Sequence, residues 1–367
     1  MPKVSIVALL TGDEEAEDIF AESVKAQVLD DFELVCVTDS GHPAPGERLA
    51  GLATSVVAAD GGAGNRRNAA LPACTGEYVL FTDTETKLSP ALVQSLAAQI
   101  EGASKGKGKE PPQVVVFHAQ RYDVERKTYL TRRMSTRRAM SIEPYAPVFH
   151  AGRVFQRLGA GTANKAFSRS FLEECRIPFS ALAAHDDDTG AMRLLARAER
   201  VISTSFPLSI AKFNPAEEAC TLGPDGSMGR LEDAVALVEE FDTEGQTRAF
   251  LPSALEWLVG SCVTHLDLLD GNGKERFMDD MREVARPVVE RLATADMKPH
   301  SWGSYDRFAA ACLDRLELFE RCSSLAEDCK ERDYERARLE LMAQRLRAAA
   351  GGAETAEKPK RRGLFRR

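Results

Sequence analysis

The chain has 367 residues, of which 44% are hydrophobic and 28% charged, a composition typical of a globular protein that buries a full core. No apolar run approaches the roughly 18–20 residues of a membrane-spanning helix, and a net charge of −8 argues against a general nucleic-acid-binding protein. Eight cysteines without a CxxC pair and only six histidines argue against a zinc enzyme and favour a reduced, cytoplasmic setting.

The first 125 residues alternate strand-like and helix-like segments. Runs of β-branched residues predict the strands, and apolar residues at helical spacing predict the helices. The predicted strands are 4–10, 32–38, 54–59, 77–82 and 113–119, and the predicted helices are 13–28, 66–72 and 89–101. This order indicates an α/β fold with a mostly parallel, doubly wound, Rossmann-like sheet.

The rest of the chain has a different character. Residues 125–160 are irregular and basic, as active-site loops of α/β enzymes often are. From about residue 228 to 348 the pattern is helical, with Gly271-Asn272-Gly273 as the clearest break. We therefore predict a domain of residues 1–215, an α-helical C-terminal extension of residues 216–350, and a disordered basic tail of residues 351–367.

Two acidic residues follow the most apolar predicted strand. Asp83 and Glu85 are spaced i, i+2, so an extended backbone points both side chains to the same side. Ligands of parallel sheets bind outside the carboxyl ends of the strands, where two carboxylates suit a hard divalent cation that carries substrate phosphates. The alternative is an acidic turn without a ligand, because these residue types also favour turns.

A series of short motifs in residues 1–215 points to one enzyme family. In chain order they are Val4-Ser5-Ile6-Val7, Ser23-Val24-Lys25-Ala26-Gln27, the strand from Asp31 to Asp39, Arg67-Asn68-Ala69-Ala70-Leu71, Cys74-Thr75-Gly76-Glu77-Tyr78 leading into Asp83-Thr84-Glu85, Asn164-Lys165-Ala166-Phe167, and Ile177-Pro178-Phe179 followed by Asp186-Asp187-Asp188. Together these segments resemble the family 2 glycosyltransferases, which have the GT-A fold.

The resemblance implies a donor site for a nucleotide-diphospho-sugar, with UDP as the expected nucleotide. Asp39 is expected beside the uridine, and Arg67 with Asn68 near the nucleotide or its phosphates. Asp83 and Glu85 are expected to hold the ribose and a Mn²⁺ or Mg²⁺ on the diphosphate. Lys165 is a further candidate for contact with the diphosphate, as is Lys212.

The resemblance also implies an inverting, single-displacement transfer with a carboxylate as general base. Alignment with the family favours Asp188, then Asp187, while Asp186 remains a candidate. Three adjacent acids repel one another, which raises the pKa of one of them toward that of a useful base. Their alternative role is to cap the helix that begins there, because acids are favoured at helix N-termini.

The acceptor implied by this reading is a hydroxyl of a surface glycan or of a lipid-linked saccharide. The last ten residues, Lys358 to Arg367, carry six basic residues, which suits peripheral contact with the anionic inner face of a membrane. Two alternatives remain open. One is a catalytically degenerate domain that binds sugar nucleotides or glycans or scaffolds partners, since several motifs depart from the family pattern. The other is a nucleotidyltransferase.

Overall fold

The computed structural model describes residues 1–105, 109–130, 143–180, 187–214, 224–243, 247–269 and 271–285, and the single residues 245, 288, 308 and 311. Nine strands in this part of the chain form one sheet. They are β1 (Val4–Leu9), β2 (Phe32–Thr38), β3 (Ser55–Ala58), β4 (Tyr78–Asp83), β5 (Thr86–Leu88), β6 (Val114–Asp123), β7 (Thr128–Leu130), β8 (Lys165–Ser168) and β9 (Val201–Phe213).

Ten helices accompany the sheet in the described ranges. They are α1 (Glu14–Lys25), α2 (Glu47–Ala50), α3 (Ala63–Ala70), α4 (Leu92–Ser104), α5 (Val154–Leu158), α6 (Arg169–Cys175), α7 (Asp187–Arg197), α8 (Pro224–Thr243), α9 (Leu251–Leu268) and α10 (Gly271–Asp280). Short 3₁₀ turns at Leu71–Ala73, Pro147–Arg153 and Thr247–Phe250 and a π-helical turn at Met281–Ala285 complete the set.

The sheet is mostly parallel, as the sequence predicts. Its order is β3-β2-β1-β4-β8-β6-β9-β5, with β7 paired to β6. Strands β1, β2, β3, β4, β6 and β9 run in one direction, and β5, β7 and β8 run against it. The carboxyl ends of the six parallel strands therefore lie on the same side of the sheet, where ligands of such folds bind. This line of strand ends is called the carboxyl edge below, and the opposite line of strand starts the amino-terminal edge.

Two apolar layers cover the faces of the sheet. One face packs against α1 and α4 through buried residues such as Phe20 and Leu96. The other packs against α3 and α5 to α10, where the rings of Phe155, Phe241 and Phe250 form a cluster with centroids 6.0–6.2 Å apart. Helices α8 to α10 thus contribute to the same core as the sheet, which makes this face a large contiguous apolar layer.

The predicted elements of the first 125 residues match the observed ones to within a few residues. The predicted break at Gly271-Asn272-Gly273 lies within two residues of the observed one, because α9 ends at Leu268, Leu269 is extended and α10 begins at Gly271, whose φ is +28°. The predicted boundary at 215/216 and the basic tail 351–367 lie outside the described residues. No described helix is both long enough and apolar enough to cross a membrane.

Candidate active site

The candidate site lies where β1, β2 and β4 end. Leu9 of β1 is opposite Val37 of β2 on one side and Asp83 of β4 on the other, so the three strands end at the same level. Asp39 follows β2 by one residue. Since neighbouring strands are about 4.8 Å apart, Asp39 and Asp83 lie about 10 Å apart along the edge.

The turn after β4 fixes the first acidic residue. Oδ1 of Asp83 accepts hydrogen bonds from the Glu85 N–H at 3.0 Å and from the Thr86 hydroxyl at 2.9 Å. The Thr84 N–H donates to the Leu9 carbonyl at 3.1 Å, and the Thr84 hydroxyl oxygen accepts from the Thr11 N–H at 3.2 Å. The turn is thus tied to the end of β1, and both carboxylates stay half-exposed at the edge.

These two carboxylates fit a divalent cation that is shared with a ligand. Among the described residues, no group of three or more His, Cys, Asp and Glu side chains is arranged to hold a metal ion. Mg²⁺ is usually bound by one or two carboxylates while waters and substrate phosphates fill its remaining positions. Asp83 and Glu85 supply that donor set, so the turn can hold a metal when the ligand supplies the other oxygens.

Asp39 is held by a tight turn and by an arginine that sequence reasoning missed. Its Oδ1 accepts from the N–H groups of Gly41 at 3.0 Å and His42 at 2.9 Å, and its Oδ2 lies 3.2 Å from Nη1 of Arg66. Nη2 of Arg66 donates to the carbonyls of Leu10 at 2.7 Å and Val37 at 2.9 Å. The guanidinium therefore joins the ends of β1 and β2 to the carboxylate of Asp39.

The Arg66 side chain is only 11% exposed. Burial lowers the pKa of Arg66, the Asp39 carboxylate opposes that shift, and the neighbouring Arg67 adds to it. Arginine remains charged at neutral pH all the same, because its unperturbed pKa exceeds 12. The adjacent predicted residue, Arg67, is half-buried on α3.

Asn68 joins α3 to a distant loop. Its amide donates to the Phe179 carbonyl at 3.0 Å, and its carbonyl oxygen accepts from the Phe179 N–H at 3.0 Å. The side chain therefore clamps the backbone of that loop. Substrate binding by Asn68 stays a prediction beside this structural role.

Phe179 connects this clamp to the helix of the candidate base. Its ring lies 5.0 Å from that of Phe81 in β4, in an edge-to-face arrangement. A Cβ added to Gly190 would lie 2.8 Å from Cδ1 of Phe179, so the first turn of α7 packs closely on that ring. The start of α7 is therefore positioned against the strand that carries Asp83.

The aspartates at 186–188 lie at this helix start. Asp187 is the first residue of α7, and Asp188 follows it with a half-exposed side chain. The next residue, Thr189, donates its hydroxyl hydrogen to Asp233 of α8. Asp186 and the side chain of Asp187 lie outside the described residues. The acids at this point occupy the first turn of a helix, so the capping alternative and the general-base alternative remain compatible.

Lys165 stabilises the loop before β8. It is fully buried, and its Nζ donates to the carbonyl of Leu158 at 3.2 Å and to Oδ1 of Asn164 at 2.7 Å, as well as to the Gly161 carbonyl. A buried ammonium is stable only with such acceptors around it. The contact of Lys165 with the diphosphate stays a prediction beside this structural role.

Lys212 lies beside the acidic turn. Its N–H donates to the Glu85 carbonyl at 3.2 Å, and its Nζ lies 3.1 Å from Oδ2 of Asp13. Asp13 also caps α1 through the Ala16 N–H, and that bond and Lys212 lower its pKa. A lysine at this position brings a positive charge to the same edge as Asp83 and Glu85.

Comparison with solved structures gives similar chains. S. aureus TarS 1–349 in complex with UDP-GlcNAc aligns with a TM-score of 0.64 and 15% identity, covering 89% of this chain and 91% of that one. The complex of the same TarS segment with UDP gives 0.62 and 16%. S. aureus TarS aligns with 0.59 and 15% over 88% of this chain and 55% of its own. Neither protein-family models nor curated proteins match the sequence.

The chain has the GT-A fold. The fold class predicted from the sequence is confirmed, because the alignment covers 89% of this chain. At 15% identity the similarity establishes the fold and leaves the chemistry to the residues of the edge.

Proposed function

We propose that the protein is a glycosyltransferase that moves a sugar from a nucleotide-diphospho-sugar, with UDP as the nucleotide, to an acceptor hydroxyl. The observation that carries the proposal is the placement of Asp83 and Glu85 at the carboxyl edge of a GT-A sheet, about two strands from Asp39. A solved structure with the same fold is a complex with UDP-GlcNAc, which supports a donor of this class.

In the proposed reaction the departing diphosphate gains negative charge. Asp83 and Glu85 would hold Mn²⁺ or Mg²⁺, which when bound supplies Lewis-acid stabilisation of that charge. Asp83 is oriented for this by Glu85 N–H and the Thr86 hydroxyl. Lys212 adds a cation beside the turn. Asp39, oriented by Arg66, would receive the nucleoside.

The acceptor hydroxyl loses its proton to Asp188, or to Asp187, while its oxygen attacks the anomeric carbon from the face opposite the diphosphate. One displacement of this kind inverts the configuration at that carbon. The start of α7 packs on Phe179 and through it on β4, and this supports a base close to the donor edge. We propose a surface glycan or a lipid-linked saccharide as acceptor, reached by a cytoplasmic enzyme at the inner membrane face.

Calorimetric titration tests the donor site. UDP and GDP are titrated into the purified protein with and without Mn²⁺, and the titrations are repeated with Glu85→Ala. The matched control is Glu77→Ala, which removes a carboxylate from the opposite end of β4, where Glu77 pairs with Lys3 at 2.8 Å. We expect metal-dependent UDP binding that Glu85→Ala abolishes and Glu77→Ala retains.

The second half of the test is turnover. Wild-type protein is incubated with a panel of UDP-sugars and Mn²⁺, and released UDP is measured. Release that depends on Glu85 supports the transferase. Nucleotide binding without any release would favour the degenerate sugar-nucleotide-binding domain, and the absence of binding by UDP or GDP would refute the donor site.

A further inference from the structure

The loop after β2 carries a histidine whose ring is fixed against another loop. The backbone of His42 is locked to Asp39 by two reciprocal bonds, from His42 N–H to the Asp39 carbonyl at 3.1 Å and from Asp39 N–H to the His42 carbonyl at 3.2 Å. The His42 N–H also donates to Oδ1 of Asp39, and Nδ1 of the ring lies 3.6 Å from the same oxygen. His42 is thus held at the end of β2.

The imidazole ring lies on Gly12, in the loop after β1. A Cβ added to Gly12 would lie 1.9 Å from Nε2, 2.2 Å from Cε1 and 2.3 Å from Cδ2 of His42. No side chain can occupy that position while the ring is there, and the φ of +80° at Gly12 independently disfavours other residues. The ring therefore spans the loops after β1 and β2 with its orientation set by both.

Although it is fixed in this way, the His42 side chain is 46% exposed. An exposed side chain normally gains little from being ordered, since ordering costs conformational entropy. Here a planar unsaturated ring is presented at the edge that also carries Asp39 and, about 10 Å further along, Asp83. A ligand with a planar ring at one end and phosphates at the other matches that arrangement.

We propose that His42 is the stacking platform for the nucleobase of the donor. This inference rests on the proposed function and adds to it a binding residue that the sequence did not identify. The base stacks on the exposed face of the imidazole, the nucleoside lies beside Asp39, and the diphosphate extends toward Asp83 and Glu85. Stacking is tolerant of base identity, so His42 supplies affinity for the nucleoside and other groups select the base.

The experiment compares a ligand that has a base with one that lacks it. UDP and inorganic diphosphate are each titrated, with Mn²⁺, into wild type, His42→Ala and His42→Phe. We expect His42→Ala to raise the Kd of UDP about tenfold, the effect of losing one stacking contact, and to leave the Kd of inorganic diphosphate unchanged. His42→Phe keeps a planar ring and should restore most of the affinity for UDP.

A second substitution tests the same ring by changing the glycine on which it lies. Gly12→Ala places a methyl group where the imidazole lies, so it should displace the ring and weaken UDP binding as His42→Ala does. Thermal melting of each variant checks that the fold is retained, and His42→Ala should melt as wild type because its side chain is exposed.

The outcomes separate this inference from the proposed function. If wild type binds UDP and His42→Ala binds it equally well, the stacking role is refuted while the donor site stands. An equal loss for UDP and inorganic diphosphate refutes stacking too, because a contact with the base cannot affect a ligand without one. If wild type binds inorganic diphosphate but neither UDP nor GDP, the donor site and the stacking role are refuted together.

Discussion

At the amino-terminal edge of the parallel strands, Glu33 of β2 is buried, and its oxygens accept hydrogen bonds from the Ser5 hydroxyl, the Thr75 N–H and hydroxyl, and the Gly76 N–H. At the carboxyl edge, Asp83 and Glu85 are half-exposed, and Asp83 accepts hydrogen bonds from the Glu85 N–H and the Thr86 hydroxyl. Carboxylates thus lie in different environments at the two ends of the parallel strands.

The pKa of Glu33 reflects the hydrogen bonds that its oxygens accept. Burial acts to raise it, but the hydrogen bonds from Ser5, Thr75 and Gly76 outweigh burial and lower the pKa below its usual value. A carboxylate whose oxygens are occupied by fixed donors stabilises the fold and cannot take up a ligand. The contrast between the edges teaches that burial among fixed donors marks a structural carboxylate in this sheet, whereas a half-exposed carboxylate stays accessible to a ligand.

The largest predicted effect concerns the proposed base, Asp188. Asp188→Asn should lower the rate of UDP release from a UDP-sugar about 10²–10⁴-fold with little change in the Kd of UDP. Asp188 is the second residue of α7, so asparagine there removes the carboxylate with little change in size and leaves Asp187 at the start of the helix. Asp187→Asn is the matched control, and a larger loss there would assign the base to Asp187. Unchanged rates in both variants would leave these acids with the capping role alone.

Glu33→Gln should act on stability and leave nucleotide binding unchanged. It replaces a charged acceptor of several hydrogen bonds, so the free energy of unfolding at pH 7 should fall by about 2–3 kcal/mol. The folded-state pKa is lowered, so the stabilisation is complete above the unfolded-state pKa of about 4.3 and is lost as pH falls through the folded value. The difference between variant and wild type should therefore shrink in acid.

Urea denaturation at several pH values measures that difference, and calorimetry measures the Kd of UDP. The control Glu77→Gln removes a half-buried ion pair with Lys3 from the same edge and should cost about 1 kcal/mol. A Glu33→Gln protein as stable as wild type at pH 7, or one with weakened UDP binding, would contradict the division between the two edges.

Much of the sheet was predictable because its signals are local. A strand buried on both faces reads as a continuous apolar run, and β2 was predicted at 32–38, the range observed. At the acidic residues, the turn at Thr84–Glu85 matches the alternative left open by the sequence, since the main prediction needs an extended backbone there. Strands β5, β7, β8 and β9 were not predicted, because they owe their structure to partners distant in sequence, as with Leu88 of β5 opposite Ser209.

The surroundings of the side chains are harder to predict from the sequence, because they depend on burial. Lys165 and Asn68 match family motifs, yet their polar atoms bind the backbone of loops that the sequence does not place nearby. Arg66 and Arg67 are equivalent in the sequence, and only the packing of α3 shows that Arg66 reaches Leu10, Val37 and Asp39. An arginine immediately before the Arg67-Asn68 motif is thus the signal in the sequence that could have identified Arg66.

The smallest expected effect is that of replacing Arg66, whose side chain joins β1 and β2 at the carboxyl edge. It tests the comparison directly, because it is a structural side chain located at that edge. Lysine keeps the charge but lacks the planar fork that reaches two carbonyls and a carboxylate. Arg66→Lys should therefore loosen Asp39 and raise the Kd of UDP up to about tenfold, with a loss of about 1 kcal/mol in stability. Arg67→Lys, measured in the same titration and the same urea series, should change stability less. If instead Arg67→Lys weakens UDP binding and Arg66→Lys does not, then the residue indicated by the family motif holds the nucleotide, and Arg66 only joins the ends of β1 and β2.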